Sequence, residues 1–111
     1  MDKKMIIVAK EFSETPAGRH ITDGPYSGEA FRERLLYPAL MEGSRCVEVD
    51  LDGALGYGSS FLEEAFGGLV REKHMHIKDL KERLMIKSTR RLYRERIWSY
   101  IQDAEKQACK Q

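Results

Sequence analysis

The residues best placed for chemistry are Ser59 and Ser60, in "LGYGSSFLEEAFGG" (Leu55–Gly68), where a glycine-rich turn runs into an apolar helical pattern. A serine there can be a nucleophile, a phosphate acceptor or a helix cap. A nucleophile elbow requires G-x-S-x-G, and "GYGSSF" lacks the second glycine. A phosphate-cradling loop requires G-x-x-x-x-G-K-[ST], which this stretch does not spell. Capping fits better. Ser60 and Glu63 make S-x-x-E, in which hydroxyl and carboxylate each satisfy an orphan backbone N–H. Ser60 is therefore assigned to the helix start, and Ser59, ahead of the cap, remains as the hydroxyl without a folding duty.

Other constellations are weaker. His74 and His76 share a face if the chain is extended, with Glu72 nearby. No further ligand has suitable spacing and His20 is remote, so no metal site is assigned. Asp50 and Asp52 lie two apart and carry oxygens that suit Mg²⁺, but ordinary polar alternation along a strand accounts for them. "KSTRRLYRER" sets Lys87, Arg90, Arg91 and Arg94 at helical spacing with Tyr93 interleaved, an arrangement that can hold nucleic-acid phosphates. Glu95 interrupts that run and Tyr93 belongs to an apolar stripe. These residues predict no enzyme, no cofactor and no metal.

The elements that must position these groups alternate. "MIIVA" (Met5–Ala9) is a short β-branched apolar run, a buried strand. Residues 11–28 shift to Gly, Pro, Ser, Thr and Asp and form a loop, with "RHIT" (Arg19–Thr22) read as an extended piece folding back on the first strand. Ser27 caps a helix from Gly28 to about Met41, with a kink or tighter last turn at Pro38. "CVEVDLDG" alternates Val47, Val49 and Leu51 with acids, the period of a half-buried strand. A helix runs from Ser60 to about Lys73, its Gly67–Gly68 pair marking close backbone packing or early loosening. His74–Ser88 admits two readings, a helical turn or loop followed by a strand "RLMIK", or one continuous helix. From Thr89 a long C-terminal helix is set by Tyr93, Ile97, Ile101, Ala104 and Ala108, bordered by Trp98 and Tyr100. The pattern implies a small α/β sheet of about three to five strands in a single domain, 1–111 with a core of about 5–105, with three main helices. Functional groups then collect at residues 12–28, 52–60 and 87–91, where strands end and helices begin.

The acidic strand "VEVDLDG", the turn after it and "SSFLEEAFGGLV" resemble the STAS-like domains of unknown function of bacteria, distant relatives of the STAS domain of sulfate transporters and anti-sigma-factor antagonists. "DGPYSGEAFRERLLYPAL" resembles the segment that opens a helix in the same group, and the likeness covers roughly Ile6 to Ile101. The resemblance implies a compact α/β fold and regulation by protein–protein binding, with a histidine-kinase-type ATPase or anti-sigma-like protein as partner. In the antagonists a serine in Asp-Ser-Ser-Gly is phosphorylated; the matching position is Ser59, with Gly58 in place of the aspartate and Phe61 in place of the glycine. The partner-binding surface so implied comprises Arg19, Asp23, Gly56, Tyr57, Gly58, Ser59, Glu63 and Glu64, the two glutamates on the exposed side of their helix.

Composition agrees with a soluble, cytoplasmic domain. Charged residues make up 33% and apolar residues 41%, and no apolar run approaches the ~20 residues of a membrane span. Cys46 and Cys109 do not form a disulfide framework, which fits a reducing compartment. The net charge of +1 is divided: residues 1–70 hold seven Lys/Arg against twelve Asp/Glu, and residues 71–111 twelve against six. Such a division suits an acidic partner, a nucleic acid, or mutual attraction of the two halves. Nucleic-acid binding through the basic C-terminal helix is thus the alternative to a protein partner, and the oligomeric state is left open.

Overall fold

The computed structural model describes residues 3–109. Among them, three strands form one parallel sheet in the order β1 (Lys3–Ile7), β2 (Cys46–Asp50), β3 (Leu84–Lys87). The helices are α1 (Val8–Glu11), α2 (residues 28–41), α3 (residues 59–71), α4 (Ile77–Arg83) and α5 (Arg91–Cys109). The expected α/β class, three-strand sheet and long C-terminal helix are all present. The segment after His74 resolves to a short helix followed directly by a strand, not to one continuous helix.

Register decides which residues enter the core. Ile6, Val49 and Ile86 align across the sheet, as do Val47 and Leu84, and this face packs on the helices. Helix α3 lies between α2 and α5, so nearly every residue from Phe61 to Val70 is buried, with only Glu63 half-exposed. Phe31, Phe61 and Phe66 are fully buried with ring centroids 6.0–6.3 Å apart along the chain of contacts. Each such side chain contributes about 1.5–3 kcal/mol by leaving water.

Ser27 caps α2 as expected, its Oγ accepting the Ala30 N–H at 3.1 Å. Gly28 then lets α2 approach α3, since a Cβ there would meet the Ala65 nitrogen at 3.1 Å. Gly67 and Gly68 also mark close packing. A Cβ on Gly68 would lie 2.9 Å from the Arg32 guanidinium carbon.

Four local expectations are corrected. First, β1 ends at Ile7 instead of continuing to Ala9, because the Glu11 carboxylate reaches back to the Ile7 N–H (2.8 Å) and Val8–Glu11 coils into a helical turn. Second, Arg19–Thr22 is not extended; Ile21–Asp23 is a 3₁₀ turn. The Asp23 carboxylate takes the N–H groups of Arg19 and His20, and Glu29 that of Ile21, which removes the donors a strand ladder would use. Third, the irregularity begins ahead of Pro38 and not at the proline itself, although the last turn does tighten, the Glu42 N–H donating to the Ala39 carbonyl at 3.4 Å. A wider π-type turn, Arg32–Leu36, precedes the proline, with the Tyr37 N–H bonded to the Arg32 carbonyl. Pro38 lacks the N–H that would continue the regular ladder. A second wide turn, Glu63–Gly67, packs against the first. Fourth, Ala108 of the predicted apolar stripe is exposed, whereas Ile97, Ile101 and Ala104 are buried.

Candidate functional site

Beyond the carboxyl ends of the strands three connections meet, as the βα pattern requires. The Asp50 carboxylate accepts the Asp52 N–H at 2.9 Å, which turns the chain after β2. Asp52 in turn accepts the Thr89 N–H and hydroxyl at 2.9 and 3.1 Å, tying this turn to the β3–α5 junction. The Leu55 N–H donates to the Glu14 carbonyl, which brings in the loop after α1. The Tyr57 N–H donates to the Tyr93 hydroxyl at 3.2 Å, and the Tyr57 hydroxyl to the Leu51 carbonyl at 2.8 Å. Burial first, then the nearby Tyr93, Asp50 and Asp52, pushes the Tyr57 phenol well above its ordinary range. A cavity of about 220 Å³ opens here between Asp52, Leu55, Tyr57, Thr89, Arg90 and Tyr93. The two aspartates hold this edge together through these bonds.

The serine pair lies at the same edge. Helix α3 begins at Ser59, not Ser60, with Gly58 in extended conformation at the N-cap. The predicted Ser60–Glu63 capping box is therefore not formed. Ser59 and Ser60 both sit exposed in the first turn, and among the described residues neither hydroxyl makes a hydrogen bond. Glu63 is drawn away from the backbone by two guanidiniums. Arg71 donates to both of its oxygens, at 2.7 and 3.3 Å, and Arg19 donates to one of them as well. Burial pushes the Glu63 carboxyl up, but the hydrogen bonds from Arg71 and Arg19 outweigh it and hold the group below its usual range.

Glu64 is buried as well, contrary to its expected place on an exposed face. Its carboxylate accepts from Arg32 at 2.9 Å, Arg71 at 3.2 Å and Arg19 at 3.3 Å, and its carbonyl accepts from Arg32 at 2.6 Å. Arg32 also reaches Glu33, which pairs with Lys73 at 2.8 Å. Burial disfavours the Arg32 charge, yet the hydrogen bonds to Glu64 and Glu33 hold its pKa above the ordinary value. The result is a continuous ionic chain joining the loop after α1, helix α2 and helix α3.

The sequence-predicted surface thus divides. The structure brings Arg19, Glu63 and Glu64 together as an ion-pair network in which Glu64 is buried and Arg19 and Glu63 are half-exposed. Asp23 serves the backbone of its own loop, held below the usual carboxylate range by the N–H groups of His20 and Arg19. Tyr57 belongs to the core. Gly58 and Ser59 remain exposed, with Gly56 half-buried. Leu55, which sequence reasoning missed, is 83% exposed on the same turn. Arg32 and Arg71 were missed too, although an arginine inside the apolar face of α2, opposite a Gly-Gly pair, is a readable signal.

The basic group is largely engaged. Arg94 donates to the Ser88 carbonyl, Arg91 pairs with Glu95 at 3.2 Å, Lys87 lies 3.8 Å from Asp50, and Arg90 lies over the Tyr93 ring. Among the described residues no three His, Cys, Asp or Glu side chains are grouped to hold a metal ion. No helix among them is long and apolar enough to cross a membrane.

Residues 27–91 match the family model described as the STAS-like domain of unknown function (DUF4325). The chain belongs to this family. No curated protein and no solved structure matches the chain at a significant level. The STAS-like match opens at Ser27, the cap of α2, and closes at Arg91, the first residue of α5. It is narrower than the likeness read from the sequence. Within the STAS-like segment lie Ser59, the buried Arg32–Glu64 pair and Arg71; Arg19 lies outside it.

Proposed function

We propose that this STAS-like domain is a non-catalytic regulatory or adaptor module that binds another protein through the edge beyond its strand ends. The observation that carries this reading is the exposed Ser59 hydroxyl, which makes no hydrogen bond among the described residues, beside the turn that exposes Leu55. Exposed apolar and small polar residues on a well-braced loop suit recognition. The family likeness makes a histidine-kinase-type ATPase of the anti-sigma kind the partner to test, and Ser59 its candidate phosphorylation site. A phosphate there meets the positive end of α3, while Glu63, one turn along, opposes it.

The test is the affinity of the protein for such an ATPase recovered with it from cells. Ser59→Asp is expected to change Kd by about tenfold or more, equivalent to ~1.4 kcal/mol, with the circular dichroism spectrum and melting temperature unchanged. An unchanged Kd for Ser59→Asp and Leu55→Ala alike removes this edge from the interface. Nucleic-acid binding has less support, since Glu95 stands within the basic run and pairs with Arg91, and Arg94 is turned back onto the Ser88 carbonyl. The protein is expected to pass through a heparin column at moderate salt.

A further inference from the structure

The outer face of the sheet has features the edge does not explain. Register places Lys3, Met5 and Ile7 of β1 beside Cys46, Glu48 and Asp50 of β2, and the last two beside Met85 and Lys87 of β3. These residues lie opposite the face that carries Ile6, Val47, Val49 and Leu84 into the core. All-parallel sheets are nearly always covered on both faces. Here Met5 and Met85, flanking Glu48, are 40% and 48% exposed. Methionine is the side chain best able to adapt to an incoming apolar surface.

Charge and size specify what would cover this face. Lys3 holds Glu48 at 2.9 Å and Lys87 approaches Asp50 at 3.8 Å. The two carboxylates are only 13% and 14% exposed, while the two lysines are 52% and 54% exposed. The face therefore presents a half-exposed methionine on each outer strand, either side of a central strand whose carboxylates are largely covered, with the more exposed ammonium groups on the same outer strands. Three strands spaced ~4.8 Å apart, about five residues long at ~3.3 Å each, give a footprint of roughly 14 by 16 Å. That is about a quarter of the ~800 Å² each partner contributes to a stable dimer. It matches a helix ~10 Å wide and about eleven residues long.

We propose that the outer face of the β1–β2–β3 sheet docks an amphipathic helix of another polypeptide, with an apolar contact stripe and carboxylates on its flanks. Apart from Asp50, whose carboxylate also turns the chain after β2, the surface is separate from the edge that carries Ser59. The test places the photo-cross-linker p-benzoylphenylalanine at Met85 in the full chain in its native cell, with the same substitution at Met41, exposed but off the sheet, as control. The expected result is a covalent product with another polypeptide from position 85 and not from 41. The linked segment maps by mass spectrometry to an acid-flanked amphipathic helix. Met5→Asp or Lys87→Glu is expected to lower the yield about tenfold, as when a charge is left unpaired or reversed at a contact, with melting temperature confirming the fold of each variant. Ser59→Asp is expected to leave the yield unchanged, which separates this surface from the edge. Products containing two copies of this chain, no product above the Met41 control, or a linked segment without the apolar stripe and acidic flanks would overturn the proposal.

Discussion

Gly68→Ala isolates the buried charge that α2 sends into α3. Gly68 has ordinary helical backbone angles, so alanine fits the backbone and, on propensity alone, should stabilise the helix by about 1 kcal/mol. Its Cβ would lie 2.9 Å from the Arg32 guanidinium carbon and closer still to Nη1. Arg32 cannot swing aside freely: its side chain is 4% exposed, and Nη1 holds both the carboxylate and the carbonyl of Glu64. Breaking a buried pair of this kind costs about 3–5 kcal/mol. The net expectation is a loss of about 2–4 kcal/mol, which lowers the melting temperature by about 8–16 °C for a domain of this size. Urea and thermal unfolding followed by circular dichroism measure it. In an Arg32→Ala background the guanidinium and the Cδ at 3.2 Å are both removed while Glu64 keeps Arg19 and Arg71, so Gly68→Ala should there stabilise by about 1 kcal/mol. If Gly68→Ala stabilises the wild type, or costs the same in both backgrounds, the reasoning fails.

Gly28→Ala should be at least as damaging, about 3 kcal/mol or more, because its Cβ meets backbone of α3 at 3.1 Å and the helices must separate; urea midpoints measure this. Ser27→Ala should cost about 1 kcal/mol through the lost cap, while Ser60→Ala should cost almost nothing. Equal losses in melting temperature would restore the capping role of Ser60. For pH, burial raises the Glu33 carboxyl but Lys73 and Arg32 outweigh it, so Glu33, like Glu63, has a folded pKa below its ordinary value. Both groups therefore stabilise the fold above the unfolded value of about 4.3 and lose that contribution as pH falls through their lowered folded values. Urea midpoints should be level above about pH 5 and fall below it, and Glu63→Gln should make the fall shallower.

Much of the fold was legible because its signals are local. The Val47–Val49 alternation, the Ser27 cap and the Ile97–Ile101–Ala104 stripe each lie within a few residues, and the structure contains all three. The misses occur where one residue reaches across an element boundary. Met5–Ala9 has uniform strand propensity, yet Glu11 takes the Ile7 N–H and ends the strand early. Arg19–Thr22 contains residues that suit a strand, but Asp23 and Glu29 consume its donors. In both cases a carboxylate a few residues downstream overrode propensity, and alternation or periodicity alone does not weigh that competition.

The site was less legible because its decisive contacts span the chain. "SSFLEE" satisfies the pattern of a capping box, and nothing within the segment argues against it. What overrides it is Arg19, 44 residues earlier, together with Arg71, eight residues later. A single backbone N–H cannot compete with two charge-assisted hydrogen bonds for the Glu63 carboxylate. The same arginines, with Arg32, explain why Glu64 lies inside a helix that is buried on every side. Charge on such a helix looks like a solvent face in sequence, because periodicity assigns polar residues outward. Among the described residues every buried side-chain nitrogen and oxygen has a hydrogen-bond partner, the buried Arg32–Glu64 pair included. Of the two glutamates that look like a partner-facing patch, Glu64 is committed to internal pairing, while Glu63 stays half-exposed beside Arg19 and Arg71. What the edge still offers outward is Leu55, Gly58, Ser59 and Ser60.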